Sequence, residues 1–402
     1  MKPKDLAFLS LAAVFSTGSA AAAQSPAKPG PAFRANTIAF EFYGREALKP
    51  GNIFFSPYSM YTAFAMAYEG AKGKTAEEIS SVFAFRAAPA DVWAELAKLN
   101  KDLASAARDA EFKQANSFWA QQDYKFLPAY LKTLRARYGA EARQADFRTR
   151  PEEARTAING WTEEKTKGKI KDLFPKGAIN PLSRLVLVNA VYFKGKWQEP
   201  FKKEMTREAN FTKADGSTIT VKMMNSGGTR DAFYSENDYL QALRLPYKGG
   251  GLALLALLPK AGKNLSEVEK GLSGEKLEAI RAGLGEQKVK VFLPRFTFSS
   301  GFNLNGSLAE LGMPTAFTDT ADFSGMDGKK DLYVQTAVQK AFVEVNEEGT
   351  EAAAATGISM AFKSMAPDFA VFRADRPFLF FIEDPRTGLI LFMGRVEDPT
   401  RQ

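Results

Sequence analysis

Apolar and polar positions recur along this chain with two rhythms, a helical one that dominates early and a strand-like one that dominates late. In NIFFSPYSMYTAFAMAYEGAKGKTAEEI, Ala63, Phe64, Ala67 and Tyr68 recur at helical spacing. Ser56 is placed to cap this helix, Pro57 suits its first turn and Gly70 its end. Thr75 followed by Glu78 makes a capping-box pattern ahead of Ile79, Val82 and Phe83, which predicts a second helix. PEEARTAINGWTEEKTKGKIKDLF gathers Ala154, Ile158 and Trp161 on one helical face, with Gly168 as a stop. RLVLVNAVYFKGKW reads as a strand with Asn189 inside an apolar run. A buried asparagine needs hydrogen-bond partners, so it marks a polar node in a core. KVKVFLPRFTF (288–298) alternates as one strand, and DLYVQTAVQKAFVEVNEEG is a long one. FLFFIEDPRTGLILFMGRV predicts a hairpin turning at DPRTG. Helices first and strands later indicate an α+β fold rather than a βαβ series. No interior linker or repeat interrupts the 402 residues, so one large domain is expected.

One segment fits neither rhythm. EEGTEAAAATGISMAFKSM (347–365) carries four consecutive alanines without a helical apolar stripe. As a strand it would present Thr350, Ala352, Ala354, Thr356, Ile358 and Met360 on one face. The other face would carry Glu351, Ala353, Ala355, Gly357 and Ser359. The first set can be buried without burying a charge, and the second holds the only charge of the two and can face water. Such a segment is acceptable both as an exposed loop and as a central strand.

Composition narrows the chemistry. Histidine and cysteine are both absent. That excludes Ser-His-Asp and Cys-His catalysis and Cys/His zinc sites; a serine-lysine dyad or a carboxylate pair stays formally open, but no spacing argues for either, so no metal, cofactor or catalytic residue is expected. The opening MKPKDLAFLSLAAVFSTGSAAAAQ has basic, apolar and small-residue parts in the order of a secretory signal, cut near Ala23. The apolar part is too short and too interrupted to span a membrane, so an exported soluble protein is expected, secreted or periplasmic. The net charge of +8 becomes +7 once two lysines and one aspartate leave with the leader. The basic residues are scattered, and the densest group, Lys132, Arg135 and Arg137, reads as a solvated helix face, so neither nucleic acid nor membrane is an expected partner.

Six pieces in register resemble the serpin family: NIFFSPYSM, YEGAKGKTAEEI, INGWTEEKTKGKIKDLF, LVLVNAVYFKGKW, EVNEEGTEAAAA and RPFLFFIEDPRTGLILFMGRVEDPT. The chain looks like an exported, bacterial-type member. The resemblance implies a signal peptide at 1–23, a tail at 24–32 and a serpin domain at 33–402, with three sheets, eight or nine helices and an exposed reactive loop at about 347–370. It implies an irreversible inhibitor of serine or cysteine proteases, a monomer that is cleaved, keeps the protease as an acyl-enzyme and inserts its loop into the central sheet. In the family the scissile residue lies fourteen positions after the hinge glycine, which from Gly349 gives Lys363. The family's spacing back from FRADRPF also gives Lys363-Ser364. A lysine there suits the acidic pocket of trypsin-like proteases. Ala361 and Phe362 would restrict which of them fit, and Met360 or Met365 could serve elastase- or chymotrypsin-like enzymes. Glu347, Glu348, Gly349, Thr350, Glu351 and Ala352 to Ala355 match the hinge. Ser56, Ser59 and Asn189 match the polar cluster under the central sheet, called the shutter. Trp197 belongs with Asn189 to the strand bordering the opening, and Arg295 pairs with Glu347 at the top of the sheet, the breach. Gln339 stands where the family usually has histidine; its amide can satisfy the cluster but cannot titrate, which puts the metastability of the closed sheet in question. A non-inhibitory carrier or chaperone of the same family is the alternative, opposed by the small residues of the hinge. A secreted hydrolase is opposed by the missing histidine and cysteine.

Overall fold

The computed structural model describes residues 30–85, 87–350 and 369–401. The leader, most of the tail, Glu351, Ala352 to Ala355, Met360, Ala361, Phe362, Lys363, Ser364 and Met365 lie outside the described residues.

Strand pairing gives two networks. The six-stranded sheet runs, edge to edge, Phe296–Asn303, Val334–Asn346, Gly349–Thr350, Leu185–Lys196, Ala110–Gln121 and Glu141–Ala145. The nine-stranded network includes the hairpin Phe378–Asp384 and Leu389–Val396, the inner strands Ala253–Pro259 and Leu240–Pro246, and the edge strand Ala370–Arg373. Of the three sheets expected, two are joined by hydrogen bonds because the 19-residue strand Thr218–Glu236 serves both. One part of it pairs with Arg207–Thr212 and its last four residues pair with Leu240–Pro246. A register shift between Asn225 and Thr229 marks the join. Ten α-helices are present among the described residues; the shortest, Ser324–Asp327, is a single turn with no periodicity to betray it.

The helix Pro57–Gly70 forms as expected, with the Ser56 side chain accepting from Ser59 N and Pro57 at its start. It is apolar on nearly all sides because it is buried on nearly all sides, packed against Leu185–Lys196 and Leu389–Val396. Nearby, Phe54 lies flat on Phe392 at 4.8 Å and on Phe380 at 5.6 Å, which ties the hairpin to the core. The helix Pro151–Lys165 buries Ala154, Ile158 and Trp161 against the other face of the six-stranded sheet, in a second core with Val186 and Val188.

Two local expectations fail for physical reasons. The residues 288–298 are not one strand. Gly285–Pro294 and Phe296–Asn303 lie in different networks, separated at Arg295, whose N–H donates instead to Lys222 O. Thr75 and Glu78 do not form a capping box, because the helix begins earlier, at Gly73. Thr75 Oγ1 accepts from Asp322 N, and the Glu78 carboxylate accepts from Thr315 N and Oγ1, so both side chains bind a distant segment. The helix Pro151–Lys165 is closed as expected by Gly168, which has φ +76° and donates its N–H back to Glu163 O at 2.8 Å. The hairpin at DPRTG forms as expected, closed by Gly388 N donating to Asp384 O at 2.8 Å.

Candidate functional site

The centre of the six-stranded sheet is a pair of strands that run parallel. Val334–Asn346 and Leu185–Lys196 are hydrogen-bonded to each other from Val334/Leu185 to Phe342/Tyr192. Beneath this pair lies a polar cluster in which Ser56, Ser59, Asn189 and Gln339 are fully buried. Gln339 Oε1 accepts from Ser56 N at 2.8 Å, while its Nε2 donates to Ser56 O at 3.0 Å and to Asn189 Oδ1. Asn189 Nδ2 donates to Ser59 Oγ at 2.6 Å, to Ser59 O at 3.2 Å and to Asn116 Oδ1. Ser56 Oγ donates to Leu391 O at 2.6 Å. The glutamine therefore ties its own strand to the neighbouring strand and to the start of the buried helix at once. Both ends of its amide are satisfied, so the cluster's hydrogen bonds are complete without an imidazole.

At the top of the sheet the same two strands part, and Gly349–Thr350 sits between them. Thr350 pairs antiparallel with Val345 on one side and Gly195 on the other; Gly349 pairs with Asn346 and Lys196. Thr350 is fully buried, and its Oγ1 lies 2.8 Å from the Tyr247 hydroxyl. Burial raises the pKa of that tyrosine, so it is neutral and able to donate. Gly349 has φ +152°, and a Cβ there would lie 2.0 Å from Gly195 O, so only glycine fits. The sequence places Thr350 on the face of the segment that can be buried; in the structure it is already inside the sheet.

Trp197 closes this opening. Its ring stacks on Tyr247 at 4.8 Å, its Nε1 donates to Asn346 O at 2.9 Å, and its N–H donates to Glu348 O at 2.9 Å. Glu347 accepts from Thr206 Oγ1 at 2.7 Å and faces Arg295 Nε at 3.7 Å; its carbonyl accepts from Phe201 N. Glu348 faces Lys203 Nζ at 2.7 Å. The Arg295 side chain is half exposed, so its pair with Glu347 adds little by itself, and the backbone contacts do most of the holding.

A two-residue strand, antiparallel to both neighbours and continuing into the small-residue segment, sits at the top of an otherwise closed parallel pair. Comparison with known proteins explains that geometry. The family model described as Serpin (serine protease inhibitor) matches residues 34–399. The chain is a serpin. It is 41% identical over 90% of its length to an uncharacterized serpin-like protein of Thermococcus kodakarensis, covering 84% of that protein. It is 40% identical to leukocyte elastase inhibitor A of Mus musculus, over 91% of this chain and 98% of that one. Serpin48, a highly specific serpin in the insect Tenebrio molitor, superposes with a TM-score of 0.81 at 31% identity, over 92% of this chain and 97% of that one. These relatives are archaeal, mammalian and insect, so the bacterial-type expectation draws no support from them.

The serpin's structure thus brings Ser56, Ser59, Asn189 and Gln339 into one cluster, and Trp197, Glu347, Glu348, Gly349, Thr350 and Arg295 into another. Sequence reasoning missed Asn116, Leu391 and Tyr247. Asn116 is the residue opposite Asn189 in the antiparallel pairing, so the strand register alone could have found it. Of the basic group at 132–137, Lys132 and Arg135 are exposed as expected, whereas Arg137 pairs with Glu69 at 2.7 Å.

Two predictions arise from this geometry. Gln339→Leu would leave Ser56 N–H without its acceptor in a fully buried site, and would strip one donor from Asn189. The expected loss is about 2–4 kcal/mol, read as a lower urea midpoint at unchanged slope. A midpoint equal to the parent's would show that the cluster is not holding the strands.

The second concerns pH. With no histidine in the chain, stability is expected to be flat from about pH 5 to about pH 9. On the acid side, hydrogen bonds from Lys330 and Ser324 lower Asp322 to about 2, and those from Thr149 lower Asp146 to about 2. Depressed carboxylates contribute stability above their unfolded pKa near 3.8, and it is lost as pH falls towards 2. On the alkaline side, burial holds Tyr58, Tyr61 and Tyr247 above their ordinary value of 10. Stability therefore declines as pH rises beyond about 10, because the unfolded phenols ionise first. A melting step near pH 6 would contradict this profile.

Proposed function

We propose that this serpin is an irreversible inhibitor of trypsin-like serine proteases, cleaved at Lys363-Ser364 and trapping the protease as an acyl-enzyme through the Lys363 carbonyl. The observation that carries it is the seat of Gly349–Thr350 between two strands, antiparallel to both. A loop that starts in this position needs only to continue, and the residues that follow (Glu351 to Ala355) include four alanines. Extending it by a dozen residues at roughly 0.5–1.5 kcal/mol per added hydrogen bond gives on the order of 10 kcal/mol. That is comparable with the stability of a whole domain, about 5–15 kcal/mol, and is enough to deform a tethered protease.

The mouse relative is an elastase inhibitor by name, which favours a second reading with elastase-like targets and Met360 or Met365 as the residue recognised. The leader reading supports an exported protein, secreted or periplasmic, and the resemblance to the family supports a monomer.

Incubation with a panel of trypsin-, elastase-, chymotrypsin- and papain-like proteases, followed by denaturing gels and mass spectrometry, tests this reading. A denaturant-resistant complex with trypsin, ending at Lys363, is the expected result. Trapping of elastase alone, with cleavage at a methionine, would transfer the assignment to the second reading. Cleavage without trapping by any protease would make the protein a non-inhibitory carrier or chaperone.

A further inference from the structure

Beside Trp197, across a small cavity, lies a charged group that none of the foregoing uses. Arg230 is only 5% exposed. Its guanidinium lies over the Phe201 ring, 4.5 Å from the centroid. Its Nε is 3.7 Å from Glu199 Oε2, on a side chain that is 63% exposed. Its Nη1 has no hydrogen-bond partner among the described residues. A cavity of about 120 Å³ opens on this group, walled by Trp197, Leu245 and Pro246, with Gln198, Glu199 and Asp231 at its margin.

A buried cation lacking an acceptor is costlier than a buried neutral donor in the same position. The nearest carboxylate does not resolve this. The Glu199 contact is longer than a hydrogen bond, and its oxygen is mostly hydrated, so it screens the arginine weakly. Asp231 is engaged elsewhere, with Lys288 Nζ at 2.7 Å. The flat fork of a guanidinium is matched by a small oxyanion or a halide. The cavity has room for such an ion and a few waters.

We propose that Arg230 and this cavity form a binding site for a small monovalent anion of chloride or acetate size. The bound ion takes over the Nη1 donor and displaces the Glu199 carboxylate towards solvent. It also packs against Trp197, the residue that holds Tyr247, Asn346 and Glu348 at the top of the sheet. Occupancy therefore stabilises the closed arrangement around the hinge, whichever protease the loop serves.

The test uses the full chain at fixed ionic strength, exchanging gluconate, whose polyhydroxy chain is a poor match for the apolar walls of Trp197, Leu245 and Pro246, for chloride or acetate. The melting temperature and the tryptophan emission are followed. Both should change saturably with chloride or acetate, and the change should be absent in Arg230→Met, which keeps the stem but not the charge. Identical melting in gluconate and chloride would overturn the proposal, as would a chloride response that survives Arg230→Met. If Arg230→Met does not fold, Glu199→Gln decides. Removing the competing carboxylate should tighten chloride binding severalfold, and an unchanged affinity would overturn the proposal. No protease enters these measurements, so their failure leaves the inhibitor reading untouched.

Discussion

Lys363→Glu is expected to abolish the covalent complex with trypsin. The proposed target recognises its substrate through a carboxylate at the base of a closed pocket, and a second carboxylate there would be desolvated beside a like charge. Several kcal/mol of recognition would be lost, and each 1.4 kcal/mol is tenfold in affinity, so inhibition should fall below detection. Lys363→Arg is the control, because arginine fits the same pocket and should preserve the complex. Denaturing gels at equimolar protease read the result. If Lys363→Glu still traps trypsin, the scissile bond lies elsewhere in the segment and the two spacing counts were misapplied.

Thr350→Arg tests the mechanism itself. The parent threonine is fully buried between two strands, with Tyr247 on its hydroxyl. No cation can replace it there without losing several kcal/mol to desolvation. The substituted chain should therefore withdraw Gly349 and Thr350 from the sheet, while the parallel pair from Val334/Leu185 to Phe342/Tyr192 keeps the fold closed below them. Cleavage after Lys363 would proceed, but insertion would stall at its first step and the acyl-enzyme would hydrolyse. The number of inhibitor molecules consumed per protease molecule inactivated should rise by tenfold or more, since several kcal/mol are at stake. A ratio near the parent's would mean that insertion is not how the protein inhibits, and that a tight-binding loop is the better account.

These two experiments lean on features that were legible to different degrees in the sequence. The buried helix, the long strands and the terminal hairpin could be read because period and end signals agreed, as at Ser56, Pro57 and Gly70. Asn189 could be marked as a polar node because it interrupts an apolar run. What could not be read was whatever depends on a partner distant in sequence. Thr75 and Glu78 look like a cap, yet each is bound by a segment more than two hundred positions away. The change of sheet at Arg295 has only a faint signal, a slip of phase in which the apolar positions pass from Val289, Val291 and Leu293 to Phe296 and Phe298 across Pro294 and Arg295. Tyr247 has no local signature at all; its role follows only from the pairing that brings Thr350 beside it. The resemblance to serpins supplied the hinge and the shutter, but the seated position of Gly349–Thr350 had to come from the structure.

The register at the top of the sheet acts as a ruler for everything below it. Thr350 lies between Val345 and Gly195, and a strand continuing downward moves one position along both neighbours for each residue added. Counting in that way, Ala352 would lie between Val343 and Phe193, Ala354 between Ala341 and Val191, and Thr356 between Gln339 and Asn189. The small side chains thus match a narrow apolar passage, and the next hydroxyl arrives level with the two amides whose contact holds the parallel pair shut. Thr356→Leu should accordingly reduce the gain in thermal stability on loop cleavage, whereas a gain equal to the parent's would show that the count is out of step. On this scale Thr356 is the tooth that meets the lock: it reaches the Gln339–Asn189 bond with a hydroxyl able to replace the partner that each amide gives up.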